Sequence, residues 1–415
     1  MKEVCIIEEN ALLQIPGLIS GHNAHRPFLV GDTNTYTLVG KTVERILADA
    51  GIEYTGFQFP RAVLEPDEAA VGSLMLHFDA RCDIVIGIGS GVINDLCKLL
   101  ASISNLPFII VATAPSMDGY ASPLSSMVRD GLKVSIPTKR AESIVADIDI
   151  IRNAPMQMLR AGLGDMLAKY VSICEWRIGA VITGETYDAE IADSVRVALK
   201  KCVDNAEVLL QRDKEAVRAI FEGLILTGEA MKQAGNSRPA SGAEHYFSHL
   251  WDMRGLEFNT PTSLHGLQCA TATLSCIKLY HKLTGMRPNR EKALKHASAF
   301  DINKWNSELR AFLGNAAEPL IALEVREGKY DVEKHSARLE VIIAKYDEIL
   351  AIIDEELPSL DTLNTLYRVL DLPETPPESD VIKMTVKAGK DIRDKYVLPR
   401  LLWDLGVLDE FCEEL

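Results

Sequence analysis

Three of the nine histidines, His245, His249 and His265, fall within residues 241–266, SGAEHYFSHLWDMRGLEFNTPTSLHG. On a helix, His245 and His249 stand one turn apart on a single face, because four residues nearly complete a turn. The flanking residues predict that helix: Ser241 is a fitting N-cap, and Glu244 follows at capping-box spacing. Residues 259–263 read as a loop. Ser263 would cap a second helix beginning near Leu264, which places His265 in its first turn. Two imidazoles brought together across so short a connection suit a divalent metal. An i, i+4 histidine pair is also what a helix surface or a satisfied core contact presents, so the spacing alone leaves both open.

Three other stretches carry chemistry-bearing residues. Residues 87–91, Gly-Ile-Gly-Ser-Gly, lie between an apolar run and a helical segment. Glycines let backbone N–H groups approach an anion, and the following helix adds the positive end of its dipole. The backbone of Gly89, Ser90, Gly91 and Val92 is thus the expected cradle for a pyrophosphate. The pattern is not the G-x-G-x-x-G fingerprint, and a tight strand-to-helix turn would use the same glycines. Asp32, at the end of an earlier strand, is placed to accept from a ribose hydroxyl or to cap the next helix. Residues 113–123, TAPSMDGYASP, follow a buried strand and bring several hydroxyls and one carboxylate, Asp118; such strand-end loops line active-site crevices. In AGLGDMLAKY, Asp165 follows Gly162 and Gly164, where an acid commonly serves as a cap or dipole partner.

The elements that must position these residues fall into two groups. From about Arg26 to Asp149, β-branched runs (26–32, 52–57, 82–91, 107–116, the last two with the loop that follows) alternate with helical segments (35–51, 66–78, 92–103). This rhythm predicts a mostly parallel sheet with helices on both faces. Beyond Ile151 the strand signal fades, and residues 155–185, 188–210, 214–234, 269–283 and 330–353 read as helices. In the last of these, Leu339, Ile342, Ile343, Tyr346, Ile349, Leu350 and Ile353 form an apolar stripe that predicts core packing. A proline-rich linker at 371–379 precedes a final helical region, 380–415. The expected organisation is an α/β dinucleotide-binding domain, 1–152, followed by an all-helical domain, 153–415, without internal repeats.

Composition limits the classes of function. The chain has 415 residues, 47% apolar and 25% charged, with a net charge of -15. That balance disfavours nucleic acid and anionic membranes as partners. A phosphorylated substrate remains compatible, given a local device such as a helix N-terminus. No apolar run reaches the ~20 residues of a membrane span. The opening MKEVCIIEEN carries acids where a signal peptide needs basic residues, and the eight cysteines lack CxxC spacing. Reduced, mostly buried thiols and a cytoplasmic location are therefore expected.

The motifs GIGSGVINDLCK, TAPSMDGYASP, AGLGDMLAKY, SGAEHYFSH and SLHG occur in this order between about Asp32 and His265. Together they resemble the glycerol-1-phosphate dehydrogenases of the iron-containing alcohol dehydrogenase and dehydroquinate synthase superfamily. DIRDKYVLPRLLWDLG near the end extends the resemblance weakly. The phosphate loop departs from the family's commoner triple glycine, and the C-terminal third looks longer.

The resemblance implies metal ligation by Asp165, His245 and His265, with Zn²⁺ first and Ni²⁺ or Fe²⁺ as alternatives. It implies NAD or NADP held by Asp32, by Gly89, Ser90, Gly91, Val92, Ile93, Asn94 and Asp95, by Thr113, Ala114, Pro115 and Ser116, and by Ser122. Asp118, Asp165 and His249 would touch the substrate, with His249 and Asp118 catalytic. The implied reaction is reversible NAD(P)H-linked reduction of dihydroxyacetone phosphate to sn-glycerol 1-phosphate, the metal polarising the carbonyl. The implied assembly is a homodimer. Alternatives are a dehydrogenase of an unphosphorylated polyol such as glycerol, a dehydroquinate-synthase-like lyase, and a binding protein that kept the fold without turnover. Two histidines and an acid also fit a non-haem iron oxygenase, which would leave the phosphate loop unexplained. Lys169, Lys232 and Arg238 are candidate phosphate donors by nearness to the metal motifs.

Overall fold

A computed structural model describes residues 4–61, 63–375 and 381–413. Part of the expected linker (376–379), and residues 380, 414 and 415 of the expected terminal helical region, lie outside the described residues. The strands are β1 Val4–Glu8, β2 Pro27–Asp32, β3 Thr55–Phe59, β4 Ile84–Gly89, β5 Phe108–Ala112, β6 Leu124–Arg129, β7 Leu132–Pro137 and β8 Ser143–Asp147. Six of them form one sheet in the order β1-β8-β5-β4-β2-β3, with every neighbouring pair parallel. β6 and β7 form a separate antiparallel hairpin. β1, β8 and the hairpin were not among the strands expected from the sequence.

β4 and β5 are buried along their whole length, as strands covered on both faces must be. Leu29, Ile84, Ile86, Ile88, Ile109, Val111 and Val145 pack against Tyr36, Val39, Val43 and Leu47. Each fully buried aliphatic side chain of this kind contributes about 1.5–3 kcal/mol relative to exposure. The expected helix at 35–51 is three pieces: a turn at Thr33–Thr35, a wide π turn at Tyr36–Gly40, and a helix at Lys41–Asp49. The helix after β4 is α1, Gly91–Ser104.

The chain divides into two compact units, Met1–Met166 with Val197–Lys232, and Leu167–Arg196 with Gln233–Leu415. The division at Met166 compares with an expected boundary near residue 152. The helix Lys214–Ala234 joins the sheet unit through Arg218, whose guanidinium donates to the Ile7 carbonyl. The helix expected over 155–185 is two, α2 Met156–Leu167 and α3 Lys169–Thr183.

In the second unit, α4 is Ala243–Phe258 and α5 is His265–Thr284. The helix expected over 330–353 is broken at Lys345 into Val332–Ala344 and Tyr346–Glu356. The apolar stripe survives the break: Leu339, Ile342, Tyr346, Ile349 and Ile353 are all buried. All eight cysteines are free thiols, and only Cys5 is exposed.

Candidate functional site

Strand order reverses between β2 and β4, since β2 runs on to β3 on one side and the chain's later strands lie on the other. The carboxyl ends at such a reversal are where open α/β sheets bind ligands. Gly31 of β2 is paired with Ile88 of β4, so Asp32 and the Gly89–Gly91 loop emerge side by side. Asp32 Oδ1 accepts from the amides of Asn34 and Thr35, both at 2.8 Å, and so caps the turn that follows. Its capping role is thus present in the fold.

Gly89 is required by packing: a Cβ there would lie 2.6 Å from the Cβ of Ile93. At Gly91 a Cβ would meet only the Met117 side chain, 3.6 Å away, so that glycine keeps a space open. Ser90 is the N-cap of α1 and makes no side-chain cap bond. The first amides of α1 lack intrahelical acceptors, as at any helix start, and face outward from the loop. The unfilled space and the helix start together fit a dinucleotide pyrophosphate.

Asn94, Asp95 and the buried Lys98 bind α1 to the loop at 113–123. Asn94 Nδ2 donates to the Gly119 carbonyl at 3.2 Å. Lys98 Nζ donates to the carbonyls of Gly119 (3.1 Å) and Leu124 (2.5 Å) and pairs with Asp95 at 2.9 Å. Asp95 also accepts from the Ser126 amide, and its burial pushes its pKa up against the pull of Lys98. Asn94 and Asp95 therefore have structural work in the loop. Asn94 Oδ1 is buried without a hydrogen-bond partner among the described residues. Thr113, Ala114, Ser116 and Ser122 are buried. The Thr113 amide donates to the Gly89 carbonyl, and Tyr120 donates its hydroxyl to the Ala114 carbonyl. Ser122 Oγ accepts from the Leu124 amide.

α2 meets the same loop. A Cβ on Gly162 would fall 1.7 Å from the Pro115 carbonyl oxygen, so only glycine permits this approach. One turn on, Asp165 Oδ2 accepts from the Asp118 amide at 2.9 Å. Asp165 is fully buried and sits late in its helix. The expectation of an acid near a helix start is corrected by the actual bounds of α2.

In the second unit the expected caps are replaced. Gly242, not Ser241, is the N-cap of α4. The orphan amides at this end are taken by carboxylates: Gly242 N donates to Glu244 Oε1 (2.6 Å) and Ala243 N to Glu175 Oε2 (2.8 Å). Leu264, not Ser263, caps α5, and it offers no side-chain bond.

The two histidine rings are each oriented through Nδ1. His245 Nδ1 lies 2.8 Å from Glu244 Oε1 and donates to that carboxylate. His265 Nδ1 lies 3.0 Å from Ser248 Oγ. Ser248 donates to Gln268 Oε1 at 2.6 Å, and Gln268 Nε2 donates to Asp252 Oδ1 at 3.0 Å. With its hydrogen committed to Gln268, Ser248 accepts from His265 Nδ1. Both rings therefore carry their hydrogen on Nδ1, which leaves the lone pair on Nε2, the tautomer typical of metal-binding histidines. Ring centroids of His245 and His265 are 5.1 Å apart. His249 stacks beside His265, with centroids at 6.1 Å and an interplanar angle of 24°.

Within the second unit, His245, His265 and Cys269 each offer one ligand atom, and these three atoms lie within 4.8 Å of one another. Two imidazoles and a thiol suit Zn²⁺ or Co²⁺ better than harder ions. Burial works against ionisation of Cys269, yet the two imidazoles beside it hold its pKa below the usual value. The second unit thus brings His245 and His265 together and sets Cys269 beside them, which sequence reasoning missed. Its spacing from His265, i, i+4 on α5, was the available signal. Also missed were the supporting Glu244, Ser248, Gln268 and Asp252.

Of the candidate phosphate donors, Arg238 is buried and committed to Glu185 (2.8 and 2.5 Å) and the Tyr396 carbonyl (2.9 Å). Lys169 is fully buried and donates to the Ala240 carbonyl. Lys232 is exposed.

A six-stranded parallel sheet and a helical unit carrying the histidine pair define the class of iron-containing alcohol dehydrogenases. The profile of that family matches residues 6–155. The fold is shared with an iron-containing alcohol dehydrogenase from Thermococcus thioreducens (TM-score 0.63, 14% identity, 100% of this chain and 98% of that one). A probable glycerol dehydrogenase from Sinorhizobium meliloti is similar in fold (TM-score 0.61, 15% identity, 100% and 98%). The glycerol-1-phosphate dehydrogenase [NAD(P)+] of Halalkalibacterium halodurans is 32% identical over 274 residues, 65% of this chain and 69% of the relative. That of Bacillus subtilis is 30% identical over 340 residues, 80% and 86%. The chain belongs to the glycerol-1-phosphate dehydrogenase family. None of the helices among the described residues is long and apolar enough to cross a membrane.

Proposed function

We propose that this chain is an NAD(P)-dependent, metal-dependent dehydrogenase that interconverts dihydroxyacetone phosphate and sn-glycerol 1-phosphate. The observation that carries the reading is the pair of His245 and His265 with both tautomers fixed, in a chain 30% identical over 340 residues to a relative named for this activity. Asp165, His245 and His265 would hold the metal, with Zn²⁺ favoured by the two imidazole nitrogens. When bound, the metal supplies Lewis-acid polarisation of the carbonyl that receives hydride from the nicotinamide.

The remaining work belongs to the chain. Gly89–Val92 and the start of α1 receive the pyrophosphate, and Asp32 takes the ribose end. The 113–123 loop, fixed by Asn94, Lys98 and Tyr120, shapes the nicotinamide end with Thr113 to Ser116 and Ser122. Asp118, through its amide, steadies Asp165, while its side chain and His249 meet the substrate. His249 orients the substrate and passes the proton that the alkoxide takes up. The sheet unit thus serves as the cofactor domain and the helical unit as the metal domain. Assembly as a cytoplasmic homodimer is part of the same reading, checked by light scattering after size exclusion.

One observation favours a second reading, a dehydrogenase of an unphosphorylated polyol: Arg238 is saturated by Glu185 and Tyr396, and Lys169 is buried on Ala240. The test is steady-state kinetics of Zn²⁺-reconstituted protein with NADH and with NADPH, on dihydroxyacetone phosphate and on dihydroxyacetone. A preference of about a thousandfold or more in kcat/KM for the phosphorylated ketone is expected, since a phosphate site left empty strands its charged donors. Equal values would install the polyol reading.

A further inference from the structure

We propose that Asp252 is a positioning residue for His265, acting through Gln268 and Ser248 to fix which ring nitrogen carries the hydrogen. The inference rests on the metal-dependent reading above and deepens it, by naming the residue that makes the second histidine fit to ligate. All four residues lie on α4 and α5. Ser248 and Asp252 stand one turn apart on α4, and His265 and Gln268 nearly one turn apart on α5. The hydrogen bonds therefore cross between the helices three times: His265 Nδ1 to Ser248 Oγ (3.0 Å), Ser248 to Gln268 Oε1 (2.6 Å), and Gln268 Nε2 to Asp252 Oδ1 (3.0 Å). Ser248 is fully buried and Gln268 is 3% exposed, so water does not compete for the middle links.

The sense of this chain is set at its Asp252 end. A carboxylate accepts and has no hydrogen to give, whereas a hydroxyl, an amide and a neutral imidazole each offer both roles. Asp252 draws the amide nitrogen of Gln268 toward itself, which points the amide oxygen at Ser248. Ser248 must then donate to that oxygen, and its lone pair faces His265 Nδ1. Reversing one link alone would set two acceptors or two donors against each other in a buried place. His245 donates straight to a carboxylate, Glu244, whereas the Nδ1 of His265 reaches one through two neutral groups. Metal-binding histidines ordinarily have such a partner. A chain that merely tied α4 to α5 would not need a charge at its end.

The experiment is nitrogen NMR of histidine-labelled, metal-free full-length protein at about pH 8.5, roughly two units above the ordinary imidazole pKa. The His265 signals are assigned by their loss in His265→Gln, and Zn²⁺ affinity is measured in parallel by calorimetry. Wild type is expected to hold His265 as the Nδ1–H tautomer alone. Asp252→Asn keeps the size but lets Gln268 turn either way. A second population with Nε2–H should then appear, and Zn²⁺ should bind about tenfold or more weakly. Gln268→Met takes the acceptor from Ser248 and should do the same. Nε2–H in wild type overturns the proposal. So does a folded Asp252→Asn or Gln268→Met that keeps Nδ1–H alone, and with Zn²⁺ still bound the metal-dependent function stands. Wild type that holds Nδ1–H and binds no Zn²⁺ overturns the metal-dependent function and this assignment with it. Should both variants fail to fold, the wild-type tautomer decides.

Discussion

Glu244 Oε1 holds two donors at once, the Nδ1 of His245 at 2.8 Å and the Gly242 amide at 2.6 Å. One carboxylate therefore starts α4 and sets the tautomer of the first histidine on it. Glu244→Gln keeps an acceptor but loses the charge that makes His245 a better ligand. Metal affinity should fall about 10- to 100-fold, as for other partners of metal-binding histidines. Glu244→Ala should lose more, and stability with it, because the cap goes as well. Calorimetric Zn²⁺ titration of both variants is the measurement; wild-type affinity in Glu244→Gln would disprove the tautomer role.

The loop glycines separate folding from binding. Gly91→Ala places a methyl at ordinary contact with Met117, 3.6 Å away, in the space assigned to the pyrophosphate. The melting temperature should stay within about 2 °C of wild type, while NADH affinity drops tenfold or more, read by fluorescence titration. Gly89→Ala drives a methyl to 2.6 Å from Ile93 and should cost about 1–3 kcal/mol of stability. If Gly91→Ala bound NADH normally, the cradle would have to be sought elsewhere.

Much of this was legible in the sequence, and for identifiable reasons. The buried strands β2, β4 and β5 are continuous apolar runs, closed by Asp32, Gly89 and the Thr113–Ser116 loop, which periodicity reads well. β1 was hidden by the acids that flank VCIIE, and the β6–β7 hairpin by LSSMVR and LKVSIP, half-polar strands outside the parallel sheet. Caps failed where a distant residue won: Glu175, 68 residues from Ala243 in sequence, supplies the acceptor that Ser241 was expected to give. Cys269 escaped notice because a buried cysteine on an apolar helix reads as core packing. Its place beside the two rings depends on Glu244 and Ser248 orienting them, and that is a tertiary fact.

Glu175 should make stability depend on pH. It is fully buried and accepts from the amides of Ala243 and Leu398 and from Tyr280. A Cβ on Gly242 would lie 2.5 Å from Glu175 Oε2 and 2.7 Å from Glu244 Oε2, so the two carboxylates share one small space. Burial first, and then the Glu244 charge, raise the Glu175 pKa from 4.5 to about 8. Between those values the folded chain keeps a proton that the unfolded chain has released. The associated stability is full below pH 4.5 and is lost as pH rises through 8. Glu175→Gln cannot accept all three bonds, so it should be less stable than wild type at pH 5. Its melting temperature should then fall less between pH 5 and pH 8. Parallel melting curves across that range would refute the shift.

His249 is the test of the division of labour on α4. It lies one turn from His245 and stacks on His265 at 6.1 Å, yet it is not among the donors that cluster with those two rings. A residue in that position can reach a substrate oxygen without holding the metal. His249→Ala should therefore retain one equivalent of Zn²⁺ and a wild-type melting temperature, because the side chain is only half-buried. Turnover should drop by roughly 10²–10⁴, the usual worth of a positioned acid–base group. The pH profile of kcat should also lose the limb that reports this imidazole, a change that a merely structural histidine would not produce. Loss of metal from His249→Ala on elemental analysis would instead make it a ligand and return the proton-transfer role to another group.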